Sequence, residues 1–426
     1  MTINYQKTAT YLFDLVEKSG IPELLHRLGP KQDPLPRRMP GHEHITPEAV
    51  EQRWEILAPR AAARPELLEP HTLGQMQAYQ HNIENFIGTV KLPVGIAGPL
   101  RINGLFAQGD FYVPLATSEA SLVASYSRGA RVISEAGGAS AALLSEGVGR
   151  APVFIFSTIG EVEYFLRWLG KSELQIRATA ERTTQHGKLI DIEVIVEGHH
   201  VFILFVFSTG DAAGQNMVTI ATYAAVEWIK QHTPVAPRSV YLESNYSGDK
   251  KASALSLQGV RGKKVVAETR IPPQLVKERL HTTPERIVEC GRLGTMGGVL
   301  SGTLGTQGHF ANGLAALFIA CGQDAACVAE AAIGTTSFEL DPDGSLYVAV
   351  TLPNLIVGTV GGGTRLPSQH ACLEILGLVG AGNARAFAEV AAGICLAGEI
   401  SLVAAISADQ FAQAHAKLAR STSITP

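Results

Sequence analysis

The sequence predicts an α+β protein: a large α/β domain around a central buried helix, with a smaller domain inserted into it and a small helical domain before it. Three observations point there. Residues 151–242 read as strand, helix, strand, strand, helix, strand. The later third is crowded with small residues, six glycines lying between Gly294 and Gly308, which suits helices packed closely at a centre. Residues 1–80 are polar and punctuated by proline. At about 150 residues per domain, 426 residues allow two or three domains.

In the N-terminal domain, residues 1–80, Tyr11, Leu12, Leu15 and Val16, then Leu24, Leu25 and Leu28, recur at helical spacing, and Pro34, Pro36 and Pro40 mark a loop. Short strands follow from His81, then a helix from Glu119 to about Glu135 that Gly137 and Gly138 stop. The inserted domain, 151–242, has the ferredoxin-like order of elements. Its strands are Pro152 to Ser157, Leu189 to Val196, Val201 to Phe207 and Ser239 to Leu242, and its helices cover Glu161 to Leu169 and Ala212 to Gln231. Residues 243–251 form a connecting loop, and 81–150 with 252–426 make the large domain. There, Phe310, Leu314, Leu317 and Phe318 open an alanine-rich run to about Ile333, expected to be the buried central helix. Leu346, Val348, Val350 and Leu352 alternate as a strand, and Ala384 to Ile406 is helical again.

Composition excludes several classes. With 46% hydrophobic and 17% charged residues, the chain is not intrinsically disordered. The formal charge of −4, with no block of five like charges, predicts neither a nucleic-acid footprint nor an anionic-membrane patch. Five cysteines, an odd number without a CxxC pair, predict no disulfide framework and no metal site, and fit a reducing cytoplasm. The N-terminal stretch is acidic in part and lacks the apolar core of a secretory signal. Apolar runs such as 202–207 and 391–408 are too short for a membrane span or are cut by Glu399.

Several places suit chemistry. Glu119, at the predicted start of a helix, meets free N–H groups, as structural and functional carboxylates both do. Ser121, Ser125 and Arg128 fall on one helical face with Arg131 a turn beyond, which suits phosphate or a solvated surface. The polar loop Glu243 to Lys251 lies where the chain leaves the inserted domain. Asp324, in an apolar stretch read as helical, must be paired or protonated, and Lys250 is a candidate partner. The turn Gly358 to Thr364 follows a strand but matches neither GxGxxG nor a P-loop. Thr209 to Met217 places N–H groups at a helix N-terminus, suited to an anion or a ribose. His415, near the C-terminus, is either inert or a proton donor on a closing tail.

The segments ENFIGTVKLPVGIAGPL, PLATSEASLVASYSRG, GDAAGQNM, SNYSGDKK, FIACGQDAA, GTVGGGT and AGEISLVAAI, in this order and spacing, resemble the 3-hydroxy-3-methylglutaryl-coenzyme A (HMG-CoA) reductases. Within them the chain is similar to the soluble prokaryotic form of class I, over about 81–415. The resemblance implies reduction of HMG-CoA to mevalonate by two hydride transfers, through mevaldyl-CoA and mevaldehyde, with NADPH as cofactor and NADH as the alternative. It implies Lys250 as the cation at the reacting carbonyl, Asp324 as its holder, and Glu119 as a proton donor whose pKa is raised by burial beside another carboxylate. His415 would protonate the departing CoA thiolate.

By the same resemblance, Arg150, Ser244, Asn245, Lys251 and Asn312 would hold the HMG group. Ser125, Arg128, Arg131 and His309 would meet CoA. Thr184, Gln185, Asp211, Gln215, Asn216, Met217, Gly361, Gly362 and Gly363 would contact the nicotinamide cofactor. ENFIG resembles the family's dimerisation motif, which implies a homodimer or dimer of dimers with the active site at the interface, and no nucleic-acid or membrane partner. Three departures stand out. Gln215 occupies the second methionine of the family's DAMGMNM pattern, and Gln185 stands where NADPH-dependent relatives tend to carry arginine, leaving Arg182 or Lys188 to compensate. Arg292 replaces a frequent lysine near the substrate carboxylate. The departures leave two alternatives: an enzyme for another branched 3-hydroxyacyl-CoA, or one working oxidatively in mevalonate degradation. A catalytically dead CoA-binding scaffold is the non-enzymatic alternative.

Overall fold

A computed structural model describes residues 10–41, 44–258 and 261–409. Residues up to Thr89 pack as one unit and those from Val90 as another. In the first, helix α1 (Thr10–Leu28) is kinked at Gly20, two residues before Pro22. Helix α2 (Pro47–Ile56) starts where the Thr46 hydroxyl accepts the Ala49 N–H and Pro47 opens the first turn. It buries Val50 and Trp54 against Leu68, Met76 and Phe86. Arg53 is fully buried and donates to the carbonyls of Pro40, Gly41, His44 and Phe86; burial lowers its pKa. The Trp54 indole donates to Ile87 O at 3.0 Å. The ENFIG stretch is therefore built into this first unit, beyond the boundary at residue 80 read from the sequence.

Among its described residues the second unit holds ten strands: β1 (Val94–Gly104), β2 (Gln108–Ala116), β3 (Ala139–Arg150), β4 (Val153–Ile155), β5 (Lys188–Glu197), β6 (His200–Ser208), β7 (Ser239–Tyr241), β8 (Gly262–Ile271), β9 (Thr335–Leu340) and β10 (Leu346–Leu355). They form one sheet along the path β7-β4-β6-β3-β8-β10-β9, with β1 and β2 branching from β3 and β5 beside β6. β3 is the shared strand. Its first part pairs with β8 and, in parallel, with β1, while Val148 to Arg150 pair with β6. Arg150 thus sits where the inserted residues join the large sheet. Alternation sets the faces, as in β10, where Leu346, Val348 and Val350 are wholly buried.

The longer helices of this unit are α3 (Leu122–Glu135), α4 (Ile159–Lys171), α5 (Glu173–Glu181), α6 (Gln215–His232), α7 (Pro284–Ser301), α8 (Phe310–Ala320), α9 (Pro367–Leu376) and α10 (Ala384–Ser407). From β4 to β7 the order is strand, helix pair, strand, strand, helix, strand, and the sheet order is β7-β4-β6-β5. The first helix begins with a capping box between Thr158 and Glu161 and divides at Ser172, whose backbone leaves the helical region.

Two helical expectations are corrected. α3 begins at Leu122 behind a left-handed Ser121, so Glu119 precedes the helix instead of opening it. The central helix is α10, not the run from Phe310 to Ile333. That run stops at Ala320 because Gly322 takes φ +69°, and a short turn capped by Asp324 follows. α10 is 24 residues long, contains an 18-residue window with a mean hydropathy of 2.0, and is long and apolar enough to cross a membrane, contrary to the expectation for this stretch; 89% of that window is buried inside the protein. Its two buried acids act as internal caps. Glu389 accepts the backbone N–H groups of Leu105, Phe106, Ala107 and Leu143, and Glu399 those of Gly308 and His309 plus the Thr336 hydroxyl. α3 lies directly on α10 at Gly129, where a Cβ would stand 1.9 Å from the Ala397 carbonyl oxygen.

Candidate active site

Residues 243–251 leave β7 as a loop organised by its own acids. Glu243 Oε1 accepts the N–H groups of Ser244 and Asn245, at 3.0 and 2.7 Å, and Glu243 pairs with Arg150 at 2.6 Å. Arg150 also meets Asp249 at 3.0 Å, and Arg261 joins Asp249 at 2.8 Å to the buried Glu330 at 2.6 Å. This ionic net, buried at Arg150, Arg261 and Glu330 and open toward Glu243, holds the loop in place. Burial pushes the Glu330 carboxyl up against the opposing pull of Arg261. Lys250, held at φ +57°, places Nζ 2.8 Å from Asp324 Oδ2. The pair anticipated from sequence is therefore formed, but it is only half-buried, with side-chain exposures of 42% and 36%.

Asp324 stands in a turn instead of the apolar helix expected for it. Its Oδ1 accepts the Ala326 N–H at 3.0 Å, and its Oδ2 also accepts the Gln215 amide at 3.2 Å. The Asp324 carboxylate holds the Lys250 pKa above the usual lysine range. Burial pushes Asp324 upward, but the hydrogen bonds from Lys250, Ala326 and Gln215 outweigh it and leave its pKa lowered. Burial first, and then Glu330, push the neighbouring Cys327 thiol far above the usual range.

The glycine-rich turn is clamped onto this site. Gln323 donates to Gly358 O at 3.0 Å and accepts the Gly358 N–H at 2.9 Å. The two backbones cross so closely that a Cβ on Gly322 would lie 2.3 Å from Gly363 O, so Gly363 packs against Gly322. Gly361 and Gly362, at φ +73° and +51°, face open space, with nothing within 4 Å of an added Cβ. That open backbone fits the approach of a dinucleotide phosphate. Asp211 binds inward: its carbonyl accepts the N–H of Thr359 at 2.8 Å, and its carboxylate accepts those of Gly382 and Ala384 at the start of α10. Gln215 likewise faces Asp324. Met217 packs on the turn of Thr184 and Gly187, while Gln185 and Asn216 are exposed. Thr184 Oγ1 accepts the N–H groups of His186 and Gly187, and Lys188 is paired with Glu181 at 3.1 Å.

The remaining predicted residues gather elsewhere. Glu119, Ser125, Arg128, His309 and Asn312 line a cavity of about 640 Å³ between α3, the start of α8 and the end of α10. Glu119 is exposed there, so the expected burial beside another carboxylate is not met within the chain. Ser125 Oγ lies 2.9 Å from Ser401 Oγ, and Arg128 donates to Ser401 O at 2.7 Å; burial lowers the Arg128 pKa. These two therefore brace α3 on α10, and Arg131, paired with Glu135 at 2.7 Å, is the exposed cation of that face. His309 leans on the Tyr126 ring with its Nε2 buried and without a partner among the described residues. Ser244 donates to Ala151 O at 2.7 Å, Lys251 to Asp249 O at 2.7 Å, and Arg292 is exposed on α7. His415 lies outside the described residues. Glu243, Arg261, Gln323 and Glu330 were not singled out from sequence; a charged Glu330 in an alanine run was the one available signal.

Residues 49–420 match the family model described as hydroxymethylglutaryl-coenzyme A reductase. The chain is 42% identical over 375 residues, 88% of its own length and 94% of the relative's, to a 3-hydroxy-3-methylglutaryl-coenzyme A reductase of Methanothermobacter thermautotrophicus. It is 44% identical over 351 residues, 81% and 83% of the two chains, to that of Aeropyrum pernix. Among solved structures it is similar to a class II reductase from Streptococcus pneumoniae bound to NADPH, with TM-score 0.63 and 21% identity, covering 84% of this chain and 96% of that one.

Proposed function

The chain belongs to the hydroxymethylglutaryl-coenzyme A reductase family, and on that premise we propose how its residues divide the reaction. It reduces HMG-CoA to mevalonate and CoA in the mevalonate pathway. The nicotinamide cofactor supplies the hydride in each of two steps, and we assign NADPH as the donor with NADH as the alternative. The contact of Lys250 with Asp324 at 2.8 Å, beside the open Gly361–Gly362 turn, is the observation that carries this reading. Negative charge grows on the thioester oxygen as hydride adds to its carbon, and on the aldehyde oxygen in the second step. An ammonium held in place stabilises both. Asp324 keeps that ammonium protonated and aimed. Glu119 and His415 serve as proton donors, the latter to the CoA thiolate.

Arg150 anchors the HMG loop that presents Ser244, Asn245 and Lys251, and Asn312, in the cavity of Glu119, joins that pocket from a second copy. Arg131 and His309 meet CoA, with Ser125 and Arg128 shaping the helix face behind them. Gly361 and Gly362, with Thr184, Gln185, Asn216 and Met217, line the cofactor's path, while Asp211 and Gly363 hold the loops that form it. A second copy supports this arrangement, since the Lys250 pair and Glu119 occupy separate places and the pair is half-exposed. α7 offers Leu293, Met296, Val299 and Leu300 to solvent, the last 84% exposed, as an apolar face for a homodimer or a dimer of dimers. Identities of 42–44% to archaeal reductases, against 21% to the class II structure, support class I. The free cysteines support a cytoplasmic setting.

The purified protein, HMG-CoA and either NADPH or NADH test the proposal in one assay. Two cofactors are oxidised per mevalonate formed, and Lys250→Met lowers kcat by about 10²–10³-fold with the fold retained. Near-normal turnover by that variant rejects the assignment of the cation.

A further inference from the structure

Gln215 is the first residue of α6, yet its side chain turns away from the helix and toward Asp324. The amide nitrogen lies 3.2 Å from Asp324 Oδ2, the same oxygen that accepts the Lys250 ammonium, and 3.2 Å from the Cys327 sulfur. Lys250 is the charged group bound to that carboxylate, and Gln215 is the side chain that reaches it from the residues between β4 and β7. Around them, Asp324 and Cys327 are the titratable groups that Gln215 meets, Asp249 acts on Lys250, and Arg261 and Glu330 act on Cys327. A neutral donor at this place adds a hydrogen bond without adding charge. Methionine, the residue of the family pattern here, has no hydrogen to donate.

We infer that Gln215 is a positioning residue for the reaction: its amide N–H fixes the Asp324 carboxylate, and through it the Lys250 ammonium, linking the start of α6 to the reacting centre. The inference rests on the Lys250–Asp324 pair being the reacting centre proposed above. It assigns the Gln215 side chain to Asp324 instead of to the cofactor. A carboxyl group is nearly isosteric with the amide, and two carboxylates sharing one site cannot both ionise easily. Glutamate at this position would therefore donate like glutamine while protonated and repel Asp324 once ionised.

Two variants, assayed with HMG-CoA and NADPH and followed by thermal melting, test this. Gln215→Met is expected to lower kcat about fivefold to tenfold, with both KM values within about twofold of wild type. Gln215→Glu is expected to keep a kcat near wild type at about pH 5.5 and to lose about tenfold by pH 8 relative to the wild-type profile. A Gln215→Glu profile parallel to wild type overturns the inference. So does a Gln215→Met variant that raises only the KM for NADPH, which is the mark of a cofactor contact. Lys250→Met separates the two levels: if it stays active, the reacting centre itself is misplaced, whereas an inactive Lys250→Met beside wild-type behaviour of both Gln215 variants defeats this inference alone.

Discussion

The Lys250 ammonium and the Asp324 carboxylate shift each other's titration in opposite senses. Lysine's pKa is raised, so its contribution to stability is complete below the unfolded value and is lost as pH climbs through the folded one. Aspartate's is lowered, so its contribution is complete above the unfolded value and is lost as pH falls through the folded one. The contact is therefore intact across the whole neutral range, from below the ordinary aspartate pKa to above the ordinary lysine pKa. With side-chain exposures of 42% and 36%, it adds little to global stability, and its importance lies in keeping the charge in place. Asp324→Asn removes the attraction and leaves the desolvation, so the Lys250 titration moves to lower pH, readable by NMR of ¹³C-labelled lysine; an unmoved titration contradicts the coupling. Lys250 and Asp324 were legible in the sequence because both sit in motifs. Arg261 and Glu330, which hold the loop by long-range pairing, were not: the acid in an alanine run hinted at burial, but nothing local names the partner it meets only in the fold.

Among the elements, α10 depends most on a few polar contacts. The four N–H groups that converge on Glu389 lie in the turn between β1 and β2 and in β3, so this carboxylate fastens the helix to two strands at once. Glu389→Ala leaves those donors unpaired, the Ala107 N–H buried and the other three partly so, at about 1–3 kcal/mol each for the groups that water cannot reach. The expected result is a Tm lowered by more than about 6 °C in a thermal melt, with Glu389→Gln milder because its amide oxygen still accepts. A melt unchanged in the alanine variant contradicts this role. Helical periodicity showed that 384–406 is a helix, yet the centre of the fold was placed at 310–333. The error has a physical cause. Alanine-rich composition is shared by both runs, and only the left-handed Gly322 and the capping Asp324 divide the earlier one, a backbone conformation that composition does not reveal. The strand order from β4 to β7 was the easier reading, because alternation and turn residues act locally.

At the scale of the whole molecule, Glu119 and the Lys250 pair belong to different groups of side chains in one chain, and the proposed dimer would use the exposed apolar face of α7. Mixing two variants addresses this directly. If each site draws Glu119 from one copy and Lys250 from another, Glu119→Gln and Lys250→Met are each inactive alone. Reassorted after mild dissociation, they recover about a quarter of wild-type activity, since half of the dimers are mixed and each carries one intact site. No recovery means that both residues serve the site from the same chain. α10 has one more implication, which concerns synthesis and not the finished fold. A nascent segment this apolar presents the translocation machinery with a plausible substrate, and an ionised side chain near its middle raises the insertion cost by about 2.5–3.5 kcal/mol. Glu399, the acid nearer the middle of the helix, therefore adds such a cost before it ever meets the backbone groups that later neutralise its burial.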